Sequence, residues 1–302
     1  PRQLPMLHAV SAVGQVELVR AYDDALSAHG IMTAQAMITA ADLDEPGRFL
    51  RLRHTLMALL DYGVLPLLGE NQAVCEHDRH ACAADQNDLL AARLIRLVEA
   101  DLLVLLTSAD GLYGRPPRRG GEVVHLVDDI EELAAKARAN LRRRNAHPAA
   151  AKVLAAHHAA SFGVPTVVAS GLRQGAMLDL LDDDNVGTLL LPDGASRSRK
   201  QWIALDRAPA GAVTINAEAG REVLEQGRSL QASGVMAVSG DFALGDAVRV
   251  LDEAGQPLAR GLIGYSSQEL ERIQGKEPQE IEQLLDCAGS TEVIRRDDLI
   301  IL

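Results

Sequence analysis

From Gln15 to Leu191 the chain alternates between two hydrophobic periods, and beyond Pro192 the alternation stops. In the first stretch Val16, Leu18, Val19, Tyr22, Ala25 and Leu26 recur near helical spacing and Gly30 closes the segment, which predicts a helix over Gln15–His29. A β-like run, Ile31–Ile38, leads into a cap-rich turn at Asp42 and Asp44, and a second helix, Phe49–Tyr62, stops at Gly63. The same reading gives helices over Asp88–Glu99, Asp128–Ala139 and Ala149–Phe162, with short apolar strands at Val64–Leu68, Leu102–Leu106, Thr166–Ala169 and Thr188–Leu191. Strands alternating with helices specify an α/β fold with a parallel-rich sheet covered on both faces.

Past Pro192 the segment Asp193–Lys200 is small, polar and basic, as a linker is. Short strands then follow with glycine-containing turns: Ala212–Ile215, Ala237–Val238, Ala247–Leu251 and Ala259–Ile263, with helices at Ala217–Glu225 and Ser267–Ile273. Two domains are expected, an α/β domain over 1–195 and a compact, mostly-β domain over 196–302 that includes the linker. The chain's 302 residues suffice for two proper cores.

Charge and residue usage narrow the function. A net charge of −12 argues against nucleic-acid binding by bulk electrostatics, and 3% aromatic residues argue against base stacking. No run of eighteen apolar residues occurs, so no membrane helix is expected. Three cysteines make no disulfide framework and suit a reducing cytoplasm. Lys136, Lys152, Lys200 and Lys276 are the only lysines, so a phosphate-handling lysine in this sequence has to be one of four.

Several strings occur in a telling order. Ala12-Val13-Gly14-Gln15 is followed by Thr39–Asp42, Thr55-Leu56, Glu70-Asn71, Asn87-Asp88 and the run Thr107-Ser108-Ala109-Asp110-Gly111-Leu112-Tyr113. The C-terminal part adds Gly240-Asp241-Phe242, Gly245-Asp246, Ala259-Arg260-Gly261-Leu262, Tyr265-Ser266-Ser267 and Arg296-Asp297-Asp298-Leu299. Over essentially its whole length the chain resembles bacterial glutamate 5-kinase, an amino-acid-kinase domain followed by a PUA domain. The resemblance implies transfer of the γ-phosphoryl of ATP, supplied with Mg2+, to the side-chain carboxylate of glutamate in proline biosynthesis, by a cytoplasmic homo-oligomer. No tightly bound cofactor is implied.

The resemblance also assigns residues. Asn87 is implied to contact glutamate and Asp88 to organise phosphoryl transfer, although Asn and Asp are favoured helix caps in any protein. Thr107, Ser108, Gly111 and Tyr113 match the loop around the nucleotide. Asn71 and Gln72 fall in the glutamate-binding string, but Gly69-Glu70-Asn71-Gln72 stands where the family has Asn-Glu-Asn-Asp. Gln72 thereby loses the charge that would meet the substrate's ammonium group. Lys152 aligns with the lysine that closes the family's glycine-rich nucleotide loop, while Asn145–Ala151 replaces the loop itself with residues that favour the start of a helix. These losses predict little turnover by the chain. The alternative is a catalytically degenerate scaffold whose PUA module serves regulation or binds RNA or another partner. Two further strands and a phosphate lysine are implied ahead of Gly14, so Pro1 is expected to be a cut end.

Two features lie outside the resemblance. Cys75, His77, His80 and Cys82 are zinc-ligand types, but they crowd into eight residues where structural sites use separated pairs. A polar surface loop is expected there, and no metal. In the C-terminal domain Arg260, Lys276, Arg295 and Arg296 make a basic patch interrupted by Glu269, Glu271, Glu277, Glu280 and Glu282. Packing or regulation is expected of that domain before RNA binding.

Overall fold

A computed structural model describes residues 4–74, 83–115, 120–141, 148–182, 186–192, 208–285 and 291–302. Its residues cluster into two units. One comprises Pro1–Ala40 and Leu56–Arg199, the other Ala41–Thr55 and Lys200–Leu302.

The first unit begins with helix α1, Leu4–Ser27. It starts well ahead of the expected Gln15: Pro5 falls in the first turn, where it is tolerated, and Leu4, Met6, Leu7, Ala9 and Ala12 favour helix among the weaker formers Val10, Ser11, Val13 and Gly14. Its half-buried positions His8, Ser11, Gln15 and Val19 recur every three or four residues, while Met6, Val10 and Val13 are exposed. The stripe of α1 turned inward is therefore mainly polar. α1 lies on strand β1, Met32–Ile38, and the Thr33 hydroxyl donates to Asp23 Oδ1 at 2.8 Å.

β1 pairs in parallel with β2, Val64–Glu70, in a register that sets Ile38 beside Glu70. Between them run α2, Ala40–Asp44, where a turn was expected, and α3, Pro46–Asp61. The remaining elements are α4 (Ala83–Val98), β3 (Leu103–Thr107), β4 (Leu126–Val127), α5 (Ile130–Leu141), α6 (Pro148–Ala160), β5 (Thr166–Ser170), α7 (Ala176–Leu181) and β6 (Thr188–Leu190).

A second sheet has the order β3-β5-β6-β4, with β3–β5 and β4–β6 parallel. The β5–β6 pair is antiparallel, where helix–strand alternation alone predicts parallel. A parallel crossover needs a helix that covers the sheet. α7 between these strands is six residues long and leaves Leu178 and Leu181 mostly exposed, so it does not serve as one. The sheet's core sits under α4, α5 and α6, where Ala92, Ile95, Leu103, Leu105, Ile130, Ala155, Ala159 and Val168 pack together.

The second unit contains the sheet β13-β11-β10-β7-β9, made by Leu299–Ile301, Pro257–Leu262, Ala247–Leu251, Gly211–Ile215 and Val235–Gly240. A small pair, β8 (Leu230–Gln231) with β12 (Glu292–Ile294), accompanies it. Three helices complete it: α8 (Ala217–Gln226), α9 (Ser267–Ile273) and α10 (Pro278–Leu285). Local chemistry fixes their starts. The Asn216 side chain accepts from the Ala219 N–H, and Ser266 with Glu269 forms a reciprocal capping box.

Residues 41–55 belong physically to this unit. Arg53 Nε donates to Asp298 Oδ1 at 2.7 Å, Arg53 Nη2 to the Asp297 carbonyl at 3.0 Å, and His54 Nε2 lies 2.6 Å from Asp298 Oδ2. Gly245, at φ 88°, packs so closely on the Pro46 carbonyl that no β-carbon fits.

Candidate active site

The site is built from ends of elements in the first unit. α6 starts with Pro148 at its first position, where the missing N–H costs nothing. Ala150 and Val153 are buried with Ala134 and Ala137 of α5, so the described part of the stretch expected to replace a glycine-rich loop, from Pro148 on, is helix packed on its neighbour. Lys152 projects from this first stretch of α6. α4 begins at Ala83, so Asn87 and Asp88 lie in its second turn and do not open the helix as expected. Asn87 is exposed. α4 and α6 pack against each other, and Lys152 Nζ donates to Asp88 Oδ2 at 2.7 Å. Their side chains are only 12% and 13% exposed. Two opposite charges 64 residues apart in sequence are thus joined in a sheltered place.

Thr107 ends β3, and its carbonyl accepts from the Gly171 N–H at 2.8 Å. Ser108 follows at the carboxyl end of the strand, the edge of a parallel pair where ligands bind. Gly111 is buried, and a β-carbon there would stand 2.7 Å from Val123 Cγ1 and 2.8 Å from Thr188 Oγ1. The Leu112 N–H donates to Thr188 Oγ1 at 2.8 Å, and Tyr113 bridges Val123. The Tyr113 hydroxyl donates to Asp110 Oδ2 at 3.3 Å. Thr188, which shapes this loop, escapes a reading of the sequence; a fully buried threonine opening an apolar strand is its only signal.

At the end of β2 the Asn71 N–H donates to the Ile38 carbonyl at 2.7 Å, extending the pairing with β1. Gln72 Oε1 accepts from the Ser11 hydroxyl at 2.9 Å. Gln15, one helical turn beyond Ser11, brings Nε2 within 3.4 Å of the place a β-carbon would take on Gly69. The absent side chain at 69 leaves room that the Gln15 carboxamide borders. Ser11 and Gln15 are also missed by sequence reasoning, since their role depends on which stripe of α1 turns inward. Among the described residues no hydrogen bond or ion pair joins Asn71 or Gln72 to Asp88 or Lys152.

Cys75, His77, His80 and Cys82 lie outside the described residues. Among the described residues no group of three His, Cys, Asp or Glu side chains is arranged to hold a metal. In the second unit Lys276 pairs with Glu280 at 3.2 Å, Arg295 with Glu292 at 3.8 Å and Arg296 with Asp297 at 3.4 Å. The expected basic patch is largely neutralised by its own carboxylates.

The amino acid kinase family matches residues 2–170, and the PUA domain matches residues 211–285. The glutamate 5-kinase of Syntrophus aciditrophicus (strain SB) is 36% identical over 305 residues, an alignment covering 100% of this chain and 78% of that protein. That of Trichlorobacter lovleyi is 40% identical over 307 residues, covering 99% and 80%. That of Moorella thermoacetica is 37% identical over 309 residues, covering 100% and 80%. No helix among the described residues is long and apolar enough to cross a membrane.

Proposed function

Because the chain belongs to the glutamate 5-kinase branch of the amino acid kinase family, we propose that it transfers the γ-phosphoryl of ATP to the side-chain carboxylate of glutamate. The product is γ-glutamyl phosphate, for proline biosynthesis in the cytoplasm. The observation that carries this reading is the sheltered Lys152–Asp88 pair. The carboxylate acceptor is already ionised at neutral pH, so the reaction needs no general base. A carboxylate oxygen attacks the γ-phosphorus, the bond to the ADP oxygen breaks, and ADP leaves with the electron pair.

The work left to the protein is positioning and neutralisation of charge on the transferred group. Lys152 supplies the cation by turning from Asp88 to a phosphoryl oxygen, and Asp88 holds the ammonium in place while the nucleotide is away. Thr107, Ser108, Gly111 and Tyr113 border the nucleotide, which enters with Mg2+ as co-substrate. Asn71, Gln72 and Asn87 hold glutamate. The full-length gene product should form γ-glutamyl phosphate, trapped as the hydroxamate, in a reaction that requires both ATP and glutamate. No hydroxamate above the ATP-free control, or turnover indifferent to Asp88→Ala, would overturn the reading.

A further inference from the structure

The loop that follows β3 is pinned by a side chain of another strand. Leu112 is the loop's anchor. Its side chain packs against the cores beneath α4, α5 and α6, and its carbonyl accepts from the Val124 N–H at 2.8 Å. Its own N–H donates to Thr188 Oγ1 at 2.8 Å, across 76 residues of sequence. Thr188 opens β6 and is wholly buried. Its place is fixed in turn: it pairs with Val168 of β5, and Gly187 before it, at φ 79°, approaches the Val168 carbonyl so closely that no β-carbon fits. Gly111 lies against the same hydroxyl, again with no room for a β-carbon. Opening an apolar strand does not call for threonine, since valine has nearly the same shape and favours strands as well. Valine cannot accept a hydrogen bond from a backbone N–H, and a sheltered donor left without an acceptor is costly.

We propose that Thr188 is a positioning residue for the nucleotide: its hydroxyl holds the Leu112 N–H and thereby keeps Ser108, Gly111 and Tyr113 where they border the nucleotide. The inference rests on the kinase reading above and adds to it a residue that acts only through the loop. A loop that spends part of its time elsewhere binds with an apparent affinity reduced by the fraction that stays in place. Asn71 and Gln72 follow β2 and Asn87 lies on α4, so the effect falls on the nucleotide and not on glutamate.

The test uses the full-length gene product with Thr188→Val, which keeps the shape and removes the acceptor, and Thr188→Ser, which keeps the acceptor and removes a methyl group. Thr188→Val should raise the Kd for ATP in calorimetry and the KM for ATP in the hydroxamate assay about 5- to 30-fold, as expected for a sheltered donor left unpaired. The change in kcat should be smaller, the KM for glutamate should not move, and hydrogen exchange at the Leu112 amide should accelerate. Thr188→Ser should stay near the native values, where a role in packing alone would make it the worse of the two. Should the valine variant not fold, Thr188→Ala set against Thr188→Ser makes the same comparison one oxygen apart. Native ATP affinity in Thr188→Val, a loss shared equally by ATP and glutamate, or a serine variant weaker than the valine one overturns the inference while the kinase reading stands. A native protein that neither binds ATP nor forms hydroxamate overturns both.

Discussion

Two ion pairs in this molecule have the same length and opposite surroundings. Arg53–Asp298 and Lys152–Asp88 each close to 2.7 Å, but the first is 1% exposed at both side chains and the second 12% and 13%. Arg53 also donates to the Asp297 carbonyl, and the free oxygen of Asp298 meets His54. Burial pushes the Asp298 carboxyl up, yet the His54 hydrogen bond and the charges and donors of Arg53 and His54 outweigh it and hold the group below the ordinary aspartate range. Lys152 offers Asp88 a single hydrogen bond from a flexible, rotatable ammonium. One pair is committed on every side; the other has a single bond to give up, as the proposed exchange for a phosphate requires. Distance alone does not distinguish structure from chemistry; the number of additional bonds and access to solvent do.

Opposite variants separate the two roles. Lys152→Ala is predicted to lower turnover by about 10³-fold, the scale for losing a cation on the transferred phosphoryl, with a small change in melting temperature. Global unfolding of that variant would mean the pair is structural after all. Arg53→Met should cost about 3–5 kcal/mol in denaturant unfolding, since it strands a buried carboxylate. Unchanged stability there would erase the contrast.

Acid titration probes the same pair more gently. The folded pKa of Asp298 lies below its unfolded value of about 3.9, so its contribution is complete above that pH and is lost as pH falls through the folded pKa. Asp298→Asn is predicted to flatten the acid limb of the stability profile below about pH 4. Ser266→Ala, which removes an exposed capping box and no buried charge, should cost only about 1 kcal/mol by thermal unfolding.

Much of the architecture is legible in the residues. Ala247–Leu251 and Ser267–Ile273 occupy the segments their periodicity indicates, because alternation and a Ser-x-x-Glu cap act locally. Lys152 and Asp88 are legible as candidates through resemblance, but their meeting depends on how α4 packs on α6, and no local pattern encodes that. The antiparallel β6 is hidden for a similar reason: a connection's path depends on whether α7 covers the sheet. α1 misleads more directly, since Val16, Leu18 and Tyr22 of the expected apolar stripe are exposed while His8, Ser11 and Gln15 are half-buried.

The inclusion of residues 41–55 in the C-terminal unit has a consequence for the protein's birth. Arg53 leaves the ribosome 245 residues before the carboxylate that pairs with it. At about 5–20 residues per second, that is a wait of roughly 10–50 s. Throughout the interval Leu43, Phe49 and Leu50, all buried in the finished molecule, lack the residues beyond Lys200 with which their segment clusters. The nascent chain must carry an adhesive helix until Asp298 and its neighbours are made, and those residues are the ones that relieve it.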